Sequence, residues 1–201
     1  MSDPTESVTP IRPDLAGEHA VAATGESGRR PRRYLAVLWM LALAVVGLDQ
    51  LTKAWAVAVL SDGHRVRLLG DWLTLVLVRN PGAAFSFATG QTWIFALIAG
   101  IVTAVVIRAS RRLGSLWWAV ALGLVLGGAV GNLIDRLARA PGVLRGHVVD
   151  FIDYGGWFVG NIADIAIVGA AAVIMVLSLR GRELDGTRAG DGRGRHAETE
   201  A

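Results

Sequence analysis

A few polar residues stand out because their surroundings are apolar. Asp150 follows Val148-Val149 and precedes Phe151-Ile152, and a carboxyl group among such neighbours has its pKa raised by desolvation. Asp164 stands three residues after Asn161, near the start of a long apolar block. The positive end of a helix there favours the ionised form. Two carboxylates in unlike surroundings are an acid–base pattern. In aspartic proteases they share one proton, one activating water while the other donates to the substrate carbonyl. Such a pair hydrolyses peptides without Ser, Cys or metal. The plainer reading makes Asn161 a helix cap and Asp164 a first-turn acid. Spacing alone does not decide between them.

Other polar residues interrupt apolar blocks, where a charge costs about 2.5–3.5 kcal/mol on insertion scales. Asp49 and Lys53 are four apart and share a helical face, as a structural ion pair or as part of a site. Gly123, Gly127 and Gly131 recur every fourth residue, a smooth stripe for close helix packing. Asn132, Asp135 and Arg136 follow at the end of the same block, either as an interfacial polar cap or as site residues.

Other protease chemistries are poorly served. There is no cysteine, which excludes disulfides, thiolate metal sites and a cysteine nucleophile. His19, His64, His147 and His196 are too dispersed for a zinc site, and no His-Glu-x-x-His occurs. No apolar block carries Gly-x-Ser-Gly, its one match, Gly25-Glu26-Ser27-Gly28, lying in the polar N-terminal segment.

The elements that must position these residues are membrane helices. The chain of 201 residues is 53% hydrophobic and 18% charged, below the quarter or so of charged residues in soluble domains. Its apolar residues fall into blocks at Tyr34 to about Leu60, about Thr92 to Ile107, about Leu116 to Ile134, and about Trp157 to Leu179. A spanning helix needs about 20 such residues, so the blocks predict four transmembrane helices within 34–180. The net charge of +3 does not indicate nucleic acid, because the basic residues flank apolar blocks. With both termini in the cytoplasm, 13 Lys and Arg lie inside and 6 outside, the bias that the positive-inside rule requires.

Residues 1–33 and 181–201 read as disordered cytoplasmic tails. The outer segment 61–90 is too long for a turn, and Trp72–Val78 is a β-prone run, which predicts a small sheet at the outer membrane surface. The second outer segment, 137–156, reads as a loop. The expected class is an all-α membrane protein with a small extracytoplasmic β element.

These motifs resemble the lipoprotein signal peptidase (signal peptidase II) family. The strings are Asp49-Gln50-Leu51-Thr52-Lys53, Arg79-Asn80-Pro81-Gly82-Ala83-Ala84-Phe85-Ser86, Gly127 to Arg136, Val148-Val149-Asp150-Phe151 and Asn161-Ile162-Ala163-Asp164. They stand in the family's order. The resemblance implies that Asp150 and Asp164 are a catalytic dyad. It implies that Asn80, Asn132, Arg136 and Asn161 line the site, with Asp49, Lys53, Asp135, Gly131 and Ala163 in support. The implied substrates are bacterial prolipoproteins carrying diacylglycerol on the lipobox cysteine, cut just before that cysteine at the outer side of the cytoplasmic membrane. The implied partners are membrane lipids and these substrates, with no cofactor, metal, nucleic acid or obligate protein partner. Segment 61–90 would be the family's β-cradle.

The chain departs from the pattern at Gly160, where the family usually has Phe, so that an aromatic wall is missing or replaced by Trp157 or Phe158. The interval from Asp150 to Asp164 is also short, and both tails are long. Two non-proteolytic readings stand beside the peptidase. A proton carrier using Asp49, Asp135 and Asp164 needs acids spread through the membrane depth, whereas these cluster towards one face. An assembly factor using the glycine stripe leaves Asp150 without a purpose.

Overall fold

A computed structural model of the chain describes residues 29–82 and 91–188. Its elements in order are α1 (Arg29–Leu60), β1 (Val66–Leu69), β2 (Leu73–Asn80), α2 (Thr92–Ala109), α3 (Leu116–Ala138), β3 (Val148–Asp153), β4 (Val159–Gly160) and α4 (Ile162–Leu179). All four α-helices are long and apolar enough to cross a membrane, and together they make a multi-pass membrane protein.

The central helix is α3, which packs against each of the other three. Its glycines explain how closely. A Cβ on Gly123 would lie 2.9 Å from the Leu38 carbonyl oxygen, and one on Gly127 2.6 Å from Val45 Cβ, both on α1. Gly128, on the adjoining face, meets α4, where a Cβ would lie 2.6 Å from the Ala163 carbonyl oxygen. Small residues in apolar surroundings let backbones approach and maximise dispersion contacts. Glycines on adjoining faces of α3 therefore bring both α1 and α4 onto it, close enough for those two helices to touch each other.

The four strands form one antiparallel sheet in the order β1-β2-β3-β4. It lies at the end of the bundle where α1 and α3 finish and α2 and α4 begin. Val149 and Phe151 of β3 pack on Ala56 and Leu60 of α1, sealing sheet to bundle.

Several boundaries differ from the sequence expectation. One of the four strands, β3, comes from the connection expected to be a loop at 137–156. Val148 to Phe151 is buried throughout, and a short run covered on both faces pairs as a strand. Trp157 to Asn161 is not the start of the last helix. Gly155 and Gly156 take positive φ of 63° and 79°, which turns the chain back so that β4 pairs with β3. Asn161 then starts α4 as its N-cap. Helix α3 runs on to Ala138, so Asp135 and Arg136 lie within it. Helix α1 begins at Arg29, inside the expected N-terminal tail. After α4 the chain folds back instead of trailing off, with Arg182 bridged to Arg188 and the Gly114 N–H donating to the Leu184 carbonyl at 3.0 Å. The rest of both expected tails, and Ala83-Ala84-Phe85-Ser86, lie outside the described residues.

Candidate active site

Asp150 stands in the middle of β3, opposite Val78 of β2. Two registers along, β2 ends at Asn80, which pairs with Val148. A diagonal neighbour of this kind is within reach of a polar side chain. The Asn80 Nδ2 donates to Asp150 Oδ2 at 2.8 Å. Its Oδ1 accepts from the Gly82 N–H at 2.8 Å. That turn fixes which end of the amide faces the acid. Gly82 must be glycine, because its φ is 109° and a Cβ would collide with the Phe95 ring.

The other acid is held by the start of α4. The Asn161 Oδ1 accepts from the Asp164 N–H at 3.1 Å, and the Asn161 N–H donates to Asp164 Oδ2 at 3.0 Å, a complete capping box. The same Asn161 reaches the first acid, its Nδ2 donating to Asp150 Oδ1 at 2.6 Å. A third amide, from α3, closes the ring. The Asn132 Nδ2 donates to Asp164 Oδ1 at 3.0 Å, while its Oδ1 accepts from Asn161 Nδ2 at 3.2 Å. All four carboxylate oxygens therefore accept from amide donors. Asp150 is 2% exposed. Burial pushes its carboxyl up from the usual 3.8 to about 6, against the Asn80 bond and with a further push from the Asp164 charge.

Beneath this ring lies a buried ionic cluster. The Lys53 Nζ lies 2.8 Å from Asp49 Oδ2 and 2.9 Å from Asp135 Oδ2, all three side chains being fully buried. Its third bond goes to Asn132 Oδ1 at 2.9 Å, which turns the amide nitrogen of Asn132 towards Asp164. The two buried acids also act on the backbone. Asp135 Oδ2 accepts from the Val149 N–H at 3.1 Å, one residue before Asp150. Asp49 Oδ1 accepts from the Ala163 N–H at 3.1 Å, one residue before Asp164. Each supporting acid thus fixes the chain just ahead of one candidate catalytic acid. The two readings of Asp49–Lys53 merge here, because a structural ion pair lies one bond from the candidate site. Gly131 makes room for it: a Cβ there would lie 2.7 Å from Asp49 Oδ2.

Arg136 flanks the ring. Its Nη1 donates to the Asn132 carbonyl at 3.0 Å, its guanidinium lies 5.7 Å from the Phe95 ring centre, and its charge acts on Asp150 and Asp164. Its buried Nε finds no partner among the described residues. On the sheet side, Trp157 is 91% exposed and points away, whereas the Phe158 ring lies against Gly160 and stacks on Tyr154 with ring centres 6.2 Å apart. Asp153, another acid of this segment, serves a turn, accepting from the Gly156 N–H at 2.7 Å.

Gln50 and Arg139 belong to the cluster and had no assigned role in the sequence. The Gln50 Nε2 donates to Asp49 Oδ2, the Gly131 carbonyl and Asp135 Oδ1 at 3.1, 3.1 and 3.3 Å. The Arg139 Nε pairs with Asp135 Oδ1. A glutamine in the interior of an apolar helix is a signal for the first. For Arg139, its place one turn after Asp135 is the only signal. Among the described residues no group of three or more His, Cys, Asp or Glu is placed to hold a metal ion.

Comparison with known proteins bears on this geometry. Residues 41–180 match the family model described as signal peptidase (SPase) II. A lipoprotein signal peptidase of Rhodococcus jostii is 55% identical over 154 residues, 77% of this chain and 78% of that one. Its counterpart in Mycobacterium tuberculosis is 47% identical over 192 residues, 94% of each chain. Two solved structures of a bacterial membrane enzyme, obtained by the in meso method, superpose with TM-scores of 0.61 and 0.64. They are 29% and 28% identical over 72% of this chain, covering 88% and 94% of theirs. Four spanning helices, a small sheet at one end and a matched region that takes in every polar residue of the ring place this chain in the signal peptidase II family.

Proposed function

We propose that this peptidase removes signal peptides from bacterial prolipoproteins already carrying diacylglycerol, cutting just before the lipidated cysteine, with Asp150 and Asp164 as its catalytic pair. The observation that carries the assignment is the single residue Asn161, whose side-chain Nδ2 donates to the Asp150 carboxylate while its backbone N–H donates to that of Asp164. Such a pair holds one proton between them. Burial makes Asp150 the member that starts protonated. Asp164 takes a proton from the attacking water while Asp150 gives its own to the carbonyl oxygen of the scissile bond. A neutral tetrahedral gem-diol results. Its collapse returns a proton to the leaving amine and restores the pair. Arg136, whose buried Nε has no partner among the described residues, holds a substrate carbonyl.

Membership of the family supports the substrate class, and the charge bias of the connections supports both termini in the cytoplasm with the site near the outer face. The amide nitrogens on all four carboxylate oxygens support a reaction without metal, because a cation would meet donors where it needs acceptors. The test is purified Asp150→Asn and Asp164→Asn on a diacylglyceryl-modified prolipoprotein. Both should lose at least about a thousandfold in turnover, and near-normal cleavage by either ends the assignment. Chelation with EDTA should leave the parent's rate unchanged.

A further inference from the structure

Gly160 is glycine for a reason other than backbone freedom. Its φ is not among the positive values of the chain, so any residue could adopt its backbone. Space is what excludes a side chain. A Cβ built on Gly160 would lie 2.6 Å from Cε1 and 3.2 Å from Cζ of Phe158, and 3.1 Å from Asp164 Oδ2. The Phe158 ring and the Asp164 carboxylate therefore face each other across the room of one methyl group. The ring arrives there by construction. The turn at Gly155-Gly156 closes with the Tyr154 N–H donating to the Phe158 carbonyl at 2.8 Å, and the two rings stack with planes 20° apart. Tyr154 also senses the site, since burial and then the Asp164 charge raise the pKa of its hydroxyl. Phe158 remains 51% exposed, so about half of it is left uncovered by the chain.

We infer that Phe158, seated in the space vacated at Gly160 and backed by Tyr154, is a substrate-positioning residue that packs on the apolar part of the substrate beside the scissile bond. The inference rests on Asp164 being catalytic, as proposed above. An aromatic wall next to the reacting carboxylate holds the substrate in register and keeps bulk water off that side. Gly160 and Phe158 form one exchangeable unit. The ring comes from position 158 only because position 160 has none.

The experiment moves the ring. Phe158→Ala, Gly160→Phe and the double variant are assayed on a diacylglyceryl-modified prolipoprotein in detergent micelles, with KM and kcat separated and unfolding midpoints recorded. Phe158→Ala should raise KM about fivefold to tenfold with kcat within about twofold, the scale of one lost aromatic contact. Gly160→Phe alone should also bind poorly, because two rings compete for one space. The double variant, with its ring supplied from 160, should return KM to within about twofold of the parent. An unchanged KM in Phe158→Ala, or a double variant no better than Phe158→Ala, overturns the inference. If Phe158→Ala is poorly folded, Phe158→Leu takes its place, since it keeps apolar bulk but not the flat face and should still raise KM. An active Asp164→Asn in the same assay sinks the catalytic pair itself, so the two failures are told apart.

Discussion

Asn161 and Asp164 cap each other, the asparagine accepting at 3.1 Å from the backbone of the acid that in turn accepts at 3.0 Å from the asparagine's own N–H. The start of α4 and the placement of a proposed catalytic acid are therefore one piece of geometry. The Nδ2 left over reaches Asp150 at 2.6 Å. Asn161→Ala removes the cap and that bond together. Loss of a capping side chain costs about 0.5–2 kcal/mol of stability. The drop in kcat should be much larger, roughly a hundredfold, because Asp150 loses one of its two amide donors and the turn that carries Asp164 loosens. Asn161→Asp keeps the cap but brings a third carboxylate to the pair. It should cleave slowly and also lose stability, because a charge is buried against the Asp150 carboxylate. A fast Asn161→Asp enzyme would show that the amide nitrogen is dispensable.

A pH profile tests the proton assignment. The reactive form has one proton on the pair. It is lost as pH rises through the Asp150 value, which burial has raised to about 6, so kcat/KM should decline on the alkaline side. The Asn80 bond favours the charged form of Asp150 and holds that value down. Asn80→Ala should therefore move the alkaline limb to higher pH while lowering the maximum. A limb that stays put, or moves to lower pH, contradicts the assignment.

Lys53→Met leaves Asp49 and Asp135 facing each other without their shared cation. Removing one partner of a buried ion pair typically costs about 3–5 kcal/mol, and the folded yield should fall accordingly. Because Lys53 also orients Asn132 at 2.9 Å, the folded remainder should turn over more slowly as well. Folding yield should still suffer more than turnover per folded molecule. Equal thermal stability of variant and parent would deny the cluster its structural part.

Gly131→Ala is a milder probe of the same place. The new methyl would crowd Asp49 Oδ2, and overpacking a tight interface costs about 1–3 kcal/mol. Displacing Asp49 loosens its hold on the Ala163 N–H. Lowered stability with a reduced kcat is the expected outcome, measured by thermal unfolding and single-turnover cleavage. Gly100, with nothing within 4 Å of its Cβ position, supplies the control, and Gly100→Ala should be neutral.

The helices were legible because bilayer length imposes a block pattern that needs no tertiary information. Their ends were less so. Trp157-Phe158-Val159 reads as apolar helix until Gly155-Gly156 is given its turn, and only pairing with β3 shows why the strand wins. Asp150 and Asp164 were visible as acids in the wrong surroundings. Their meeting at Asn161 was not, since it depends on the register of β3 with β4 and on α3 passing behind. Gln50 and Arg139 were missed because their value comes from Asp135. For Gln50 that partner is 85 residues away, a separation that local spacing does not reach.

The bonds from Asp49 to Ala163 and from Lys53 to Asn132 and Asp135 stitch α1, α3 and α4 together through charged groups sunk in apolar surroundings. Tilting any of these three against another would strand a bare charge in hydrocarbon. Among the described residues helix α2 has no buried ion pair to the others and meets α3 through side chains such as Val102 and Val106, with the Phe95 ring beside the Arg136 guanidinium. The stiffness of the molecule is thus unevenly shared. Three helices and the sheet are locked to one another by buried charge, and the fourth is held mainly by shape.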